Sequence, residues 1–326
     1  MSAILTISTQ GSKITKESKR IFVKKENETL LEIPVREIET VITFGNVHFS
    51  APAVNTLSKF GVPITLLSYD GKARANVLPY HRKNLDLKYL QYKIAENETL
   101  RLEFAKAFVY GKYIGARNFL TKGKKITGAE LLKNESGKTA RYAKKIRNAE
   151  TLEKLLGAEA GISVLHFAAL RKLIKKEDFK FEKRTTRPPR DEMNSLMSFG
   201  YTLTETLLTS LLETNGFDVY MGLLHKPDYG RSSLSLDLLE LFRFQIVDKF
   251  VLNLVNLGII NKNDFRKENG IYLNDEGRRK FMKNWTKLLH DEKNGLIKLS
   301  VKTVEELTKA VRNNRAPQFE KILRDK

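Results

Sequence analysis

The segment GLLHKPDYGRSSLSLDLLELFR, Gly222 to Arg243, carries the residue types in this chain best suited to chemistry. It sets His225 in a turn-like stretch and then Asp237 and Glu240 in a run otherwise made of Leu and Phe. A three-residue step in a helix turns a side chain by roughly 60° from its partner, so the two carboxylates share a face. Two acids on a Leu-rich, largely buried helix are unfavourable unless something pairs with them. An imidazole with clustered carboxylates suits a hard to borderline divalent cation, Mn²⁺ or Mg²⁺, better than zinc. The bland alternative is a helix with one solvated acidic edge and an unrelated histidine before it.

Phosphoryl-transfer metal sites draw carboxylates from more than one helix. Glu159, in LLGAEAGISVLHF, is a candidate third ligand, because Gly157, Ala160 and Gly161 clear space around it. Its alternative is an ordinary surface acid. In NSLMSFGYTL, Asn194, Ser198 and Tyr201 fall at spacings of four and three and share a face. Such a stripe suits a substrate groove that hydrogen-bonds phosphate, or equally a helix–helix seam satisfied by small hydroxyls. Basic clusters recur at Lys122/Lys124/Lys125, Lys144/Lys145/Arg147, Arg171/Lys172/Lys175/Lys176, Lys183/Arg184/Arg187/Arg190 and Arg278/Arg279/Lys280/Lys283. Together they predict a distributed phosphate-tracking surface. Arg231 lies between the candidate ligands and is placed to hold a scissile phosphate. His48, His81 and His290 stand outside any ligand spacing, and His166, seven residues after Glu159, is read as structural. There is neither a Gly-x-x-x-x-Gly-Lys nucleotide loop nor a Gly-x-Ser-x-Gly elbow.

The 326 residues are enough for two domains and a sizeable core. Lys and Arg number 58 against 38 Asp and Glu, a formal charge of +20 that points to a polyanionic partner, nucleic acid before membrane. No apolar run reaches the ~18 residues of a spanning helix, and MSAILTISTQGSK is too short and polar for a signal peptide. Cysteine is absent, which excludes disulfides, thiolate metal sites and cysteine nucleophiles. A cytoplasmic address with DNA or RNA as partner is expected.

These residues need a scaffold, and the periodicity predicts one of class α+β. Strands are expected around Ile4–Ile7, Arg20–Lys24, Leu30–Pro34, Glu39–Phe44 and Val62–Leu67, with a helix from Ser50 to Phe60 and a turn at Asp70-Gly71. The period then becomes helical: Glu96–Leu120 with Leu100, Phe104, Phe108 and Ile114 on one stripe, Tyr142–Leu156, Ala158–Ile174, Met193–Leu212 and a continuous Leu234–Leu257. A polar, Lys-rich interval is read from Thr121 to Gly137, and Pro188-Pro189 marks KFEKRTTRPPRDE as a linker. A small hairpin from Asp264 to Leu273 and helices near Asp275–Leu289 and Val304–Val311 complete the chain. The reading is a small β-rich domain over 1–84, a linker over 85–95, and a larger all-α domain over 96–326 that carries the candidate ligands.

Four stretches in order (FGNVHFS with the following GVPITLL and YDG, LLGAEAG, RPPRDEMNSLMSFGYTL, and GLLHKPDYGRSSLSLDLLELFR) resemble the CRISPR-associated adaptation integrases, the first-numbered and near-universal Cas family. The resemblance implies a metal-dependent DNA endonuclease and integrase that joins 3′-hydroxyl ends of captured fragments to the CRISPR repeat. Carried over by position, it puts the metal triad on Glu159, His225 and Glu240, with Asp237 at an assisting acidic position. Many members have Asp where Glu240 stands, and often Tyr where His166 stands. It also implies Mg²⁺ or Mn²⁺, a homodimer formed through the β domains, and a small second Cas protein as partner. A ligated His225 must be neutral, so activity should fall as pH drops below roughly 6.5. Two rivals stand beside this: a non-catalytic nucleic-acid-binding protein, and a metal nuclease that never joins strands.

Overall fold

The computed structural model describes residues 3–26, 28–69, 73–79, 85–127, 132–291 and 295–323. The Asp70-Gly71 turn, His81 and the side chains of Lys124 and Lys125 lie outside that set. The chain divides into two units, Met1–Leu85 with Thr209–Phe217, and Asp86–Leu208 with Asp218–Lys326.

The first unit is built on two four-stranded sheets. Its strands are β1 (Ala3–Ile7), β2 (Ser12–Glu17), β3 (Arg20–Lys25), β4 (Glu28–Pro34), β5 (Ile38–Phe44), β6 (Val47–Phe49), β7 (Ile64–Leu67) and β8 (Ala73–Val77), with helix α1 (Ala51–Lys59) before β7. One sheet runs β1-β5-β7-β8, the other β4-β3-β2-β6. β5 pairs in parallel with β1 and β7 and is buried along almost its whole length, which is why ETVITF reads as a continuous apolar run. β2 and β3 alternate, sending Ile14, Ile21 and Val23 inward toward Ala53 and Leu57 of α1. The Ser50 hydroxyl caps α1 by accepting from the Ala53 N–H at 3.3 Å, and Pro52 follows in the first turn. Three strands escaped the periodicity: β2 shows Lys and Thr on its wet face, β6 has three residues, and Arg74–Val77 of β8 are exposed at a sheet edge.

The second unit is mostly helical: α2 (Leu85–Glu96), α3 (Glu98–Thr127), α4 (Lys133–Arg147), α5 (Leu152–Leu173), α6 (Glu192–Asn215), α7 (Ser233–Leu239), α8 (Lys249–Asn256), the short hairpin β9 (Phe265–Lys267) and β10 (Ile271–Leu273), then α9 (Asp275–Leu289), α10 (Leu296–Arg312) and α11 (Phe319–Leu323). The end of α6, from Thr209, groups with the first unit. The stretch 85–95, expected as a linker, is helix α2. The break expected at Gly157 falls instead at 148–151, where the Thr151 hydroxyl accepts from the Lys154 N–H and starts α5; Gly157 lies inside that helix. The continuous helix expected over 234–257 is interrupted. α7 ends before Glu240, and residues 243–248 form a π-helical turn in which the Val247 N–H reaches back to the Phe242 carbonyl at 3.1 Å. α3 is the central strut, packing against α4, α5, α11 and the π turn, with Phe104, Phe108 and Ile114 fully buried. No helix among the described residues is long and apolar enough to cross a membrane. The architecture is α+β, an N-terminal β region followed by a helical body.

Candidate active site

Lys112 organises the site, and sequence reasoning missed it. It lies on α3 four residues after Phe108, a position that continues the apolar stripe, and it is 3% exposed. A buried ammonium needs anionic partners. Its Nζ donates to Glu159 Oε1 on α5 and, at 2.5 Å, to Glu240 Oε2 just beyond α7. The preceding Gly111 has no Cβ, which lets the tip of Leu241 pack against α3 and draws the Glu240 segment in. The Ser163 hydroxyl, one turn along α5, donates to Glu159 Oε1 at 3.0 Å. Glu240 Oε1 faces Arg243 Nε at 3.1 Å, an ion pair without the alignment of a hydrogen bond.

Burial pushes the Glu240 carboxyl up, but Arg243, Lys112 and His225 more than reverse this and hold it at about 2. Glu240 is therefore a permanent anion. Burial lowers the Arg243 guanidinium, and its neighbours, Glu240 foremost, raise it above its ordinary value.

His225 is placed by Asp237. That carboxylate is completely buried and accepts four N–H groups: Leu223 at 2.6 Å and Leu224 at 2.9 Å on Oδ2, then the His225 backbone at 3.0 Å and His225 Nδ1 at 2.7 Å on Oδ1. With Nδ1 fixed as a donor, Nε2 keeps its lone pair for another partner, and the ring is 24% exposed. Asp237 is thus the anchor of the His225 turn, its oxygens fully used, and not itself a ligand. Gly222 makes the turn possible, since a Cβ there would meet the His225 carbonyl oxygen at 2.6 Å and Ser233 Cβ at 2.7 Å.

The structure therefore brings Glu159 and Glu240 to one cationic point, with His225 near enough to depress the Glu240 pKa. It does not close them into a cage: among the described residues no three His, Asp or Glu side chains are placed to hold a metal ion as they stand. The donor set nevertheless fits one. Two carboxylates from separate helices already face a shared cation, and an unsubstituted imidazole nitrogen lies in the same electrostatic neighbourhood. The space expected around Glu159 is only half there, because Gly161 admits the Tyr142 ring while Gly157 opens outward.

Behind this centre lies a second buried network. Asp248 accepts from Tyr201 Oη at 2.5 Å and from His166 Nε2 at 2.7 Å. The His166 ring stacks on Phe244, centroids 3.7 Å apart. Burial pushes the Tyr201 phenol well up and the His166 imidazole down, so both are neutral. The guanidinium groups of Arg184 and Arg243 lie 5.2 and 4.6 Å from the Tyr201 ring centre. Tyr201 is thus an interior residue rather than a phosphate contact. Asn194 and Arg184 are likewise internal: Asn194 Nδ2 donates to the Lys183 carbonyl at 2.8 Å, its Oδ1 accepts from Arg184 Nη1 at 2.8 Å, and Arg184 Nη2 donates to Ser198 Oγ at 2.9 Å. Of the two readings of this stripe, groove or seam, the structure gives a seam, one that fastens the basic linker to α6. Lys183, Arg187, Arg190 and Arg231 do stand at the surface.

Comparison with known proteins finds relatives over most of the chain. The family described as CRISPR associated protein Cas1 matches residues 5–287. A Chlorobaculum tepidum protein named CRISPR-associated endonuclease Cas1 1 is 32% identical over 283 residues, covering 84% of this chain and 82% of its own. The solved structure of a Cas1 protein from Thermotoga maritima, 28% identical, aligns over 97% of this chain and 99% of its own with a TM-score of 0.77. A casposase bound to integration product, 23% identical, shares the fold over 98% of this chain and 94% of its own, TM-score 0.76. A β-rich N-terminal region, a helical body carrying opposed glutamates with an Asp-anchored histidine, and a sequence match spanning most of the length identify the chain as a member of the CRISPR-associated Cas1 family.

Proposed function

We propose that this chain is a divalent-metal-dependent DNA endonuclease and integrase of CRISPR adaptation. The observation that carries the reading is the pair of carboxylates, Glu159 and Glu240, drawn from separate helices onto one cationic point beside an imidazole whose Nδ1 is already committed. Glu159, Glu240 and His225 Nε2 would hold Mg²⁺ or Mn²⁺, which when bound supplies positive charge at the reacting phosphate. The chain's own groups do the rest. Asp237 fixes the imidazole, Arg243 keeps Glu240 ionised, and exposed Arg231, Lys183, Arg187 and Arg190 supply phosphate contacts. The 3′-hydroxyl oxygen of a captured fragment forms a new P–O bond at the edge of a CRISPR repeat, and the 3′-oxygen of the cut strand leaves. One phosphodiester replaces another, so no external energy source is required. A fold shared with a protein captured on an integration product supports this chemistry.

The partners follow: the captured DNA fragment, the CRISPR repeat and leader, a second copy of the chain, and the small second Cas protein. Leu30 and Leu31, 42% and 41% exposed on edge strand β4, support self-association through the β region. Sedimentation should find a dimer at micromolar concentration; a stable monomer would count against it.

The deciding experiment incubates a short 3′-hydroxyl duplex with a supercoiled repeat-bearing plasmid and Mn²⁺. Fragment joined to plasmid is expected from the wild-type chain and none from Glu159→Gln, His225→Ala or Glu240→Gln, with DNA binding retained. Nicking without joining in the wild type would leave a plain nuclease. Absence of both, together with no saturable Mn²⁺ binding, would leave a DNA-binding protein only.

A further inference from the structure

The acid centre is electrically complete without any added ion. Glu159 and Glu240 contribute two negative charges, and Lys112 and Arg243 two positive ones, in a setting where all four side chains are at least three-quarters buried. A divalent cation added to these four groups as they stand would leave an excess of positive charge among them. One of the resident cations must give way, and Lys112 holds the shared point: its Nζ contacts both carboxylates, whereas Arg243 makes its direct ion pair with Glu240. Its Nζ also lies 4.9 Å from the centre of the Phe244 ring, a cation–π contact made in the same position as its bonds to the two carboxylates. That ring is itself fixed from one side by the stacked His166, 13° from parallel.

We infer that Lys112 is a resident counter-cation, a positioning residue that gathers Glu159 and Glu240 while the centre lacks its ion and surrenders the point between them when a divalent ion binds. The inference rests on the metal-dependent reading above and adds to it an exchange of one bound cation for another. Ammonium and metal compete for the same two oxygens, so the lysine preforms the site and at the same time weakens its affinity for metal.

The test uses the full-length chain, stripped with EDTA and titrated with MnCl₂ by calorimetry and by thermal unfolding. Two variants bracket the lysine. Lys112→Met keeps the stem without the charge, and Lys112→Arg keeps the charge on a fork that bonds both carboxylates. Lys112→Met should melt below wild type in EDTA, gain more from Mn²⁺ than wild type does, and bind it about tenfold more tightly, the scale of one charge-assisted hydrogen bond no longer competed for. Lys112→Arg should bind Mn²⁺ more weakly than wild type, and it decides the matter if the methionine variant does not fold without metal. Saturable Mn²⁺ binding by wild type with unchanged or weaker binding in Lys112→Met, or unchanged or tighter binding in Lys112→Arg, overturns the exchange and leaves the metal reading standing. No Mn²⁺ binding by any of the three proteins overturns both.

Discussion

Asp237 shows how much of this site depends on a residue that touches no substrate. Its four accepted N–H bonds hold Leu223, Leu224 and His225 in one turn. In Asp237→Asn, one oxygen becomes an NH₂ that cannot accept, which leaves buried backbone N–H groups opposed by another donor. Loss of about 2–3 kcal/mol of stability is expected, the scale of a buried hydrogen bond to a charged group, together with a 10–100-fold fall in joining as the imidazole loses its orientation. Urea unfolding and the plasmid joining assay would read these, and an Asn variant that keeps both would show that the turn holds itself. His166 gives a second prediction at this scale. Burial lowers its pKa, opposing Asp248 and aided by Lys112, and desolvation lowers His290 in the same direction. The unfolded chain binds a proton near 6.5 while the folded centre refuses it. Stability is therefore complete above that pH and declines as pH falls below it. Replacing His166 with Phe should flatten the slope of unfolding free energy between pH 6.5 and about 5, although the absolute value drops because Asp248 loses a donor; an unchanged slope would mean the histidine is protonated in place. His225, Asp237 and Glu240 stand out in the sequence because imidazole and carboxylates are unusual in a Leu-rich context, and Glu159 because small residues flank it. Lys112 does not, because one lysine among 58 basic residues announces nothing until α3 is seen to pass between α5 and α7. The error over Asn194 and Tyr201 has the mirror cause: a polar helix face looks the same in sequence whether water or a packed linker covers it.

Among the elements, the long helices and β5 were legible because their periodicity is strong, and the N-terminal β region followed by helices was readable as a pattern. What stayed hidden was where local geometry departs from the repeat. Nothing in LLELFRFQIVDKF marks the turn at Glu240 or the π-helical stretch after it, since every residue there is compatible with an α-helix. Arg243 sits beside Glu240 at the three-residue spacing any helix would give, and past the departure Asp248 meets Tyr201 and His166. The Gly222 turn is the other irregular element. A methyl group there would strike the His225 carbonyl and Ser233, the first held by the His225 N–H on Asp237 and the second by its own N–H on the Arg231 carbonyl. Gly222→Ala should destabilise by about 1–3 kcal/mol, the usual range for overpacking, and reduce joining more than DNA binding. A variant with normal melting and normal joining would show that the turn relaxes freely.

At the scale of the whole molecule, a charge of +20 demands an account of which cations meet DNA and which hold the fold. The linker before α6 separates the two within a few residues. Arg184 is inside, bonded to Asn194 and Ser198 with its pKa lowered by burial, whereas Lys183, Arg187 and Arg190 stand in water, as does Arg231 on the far turn. Sequence shows one basic run, and folding splits it. Removing an exposed cation should therefore change binding and leave folding alone. Arg187→Ala, Arg190→Ala and Arg231→Ala should each lower DNA affinity at low salt and reduce the slope of log affinity against log salt by about 0.9 per lost phosphate contact, with unfolding midpoints unmoved. Arg184→Ala should do the reverse, lowering the midpoint because Asn194 and Ser198 lose their donor, while the salt slope stays within error of wild type. Fluorescence anisotropy on a labelled duplex across salt concentrations, paired with urea unfolding, measures both quantities for all four variants. A common effect on slope in all four would mean the linker opens to lay Arg184 on DNA; no effect in the three exposed variants would put the DNA track on another of the basic faces.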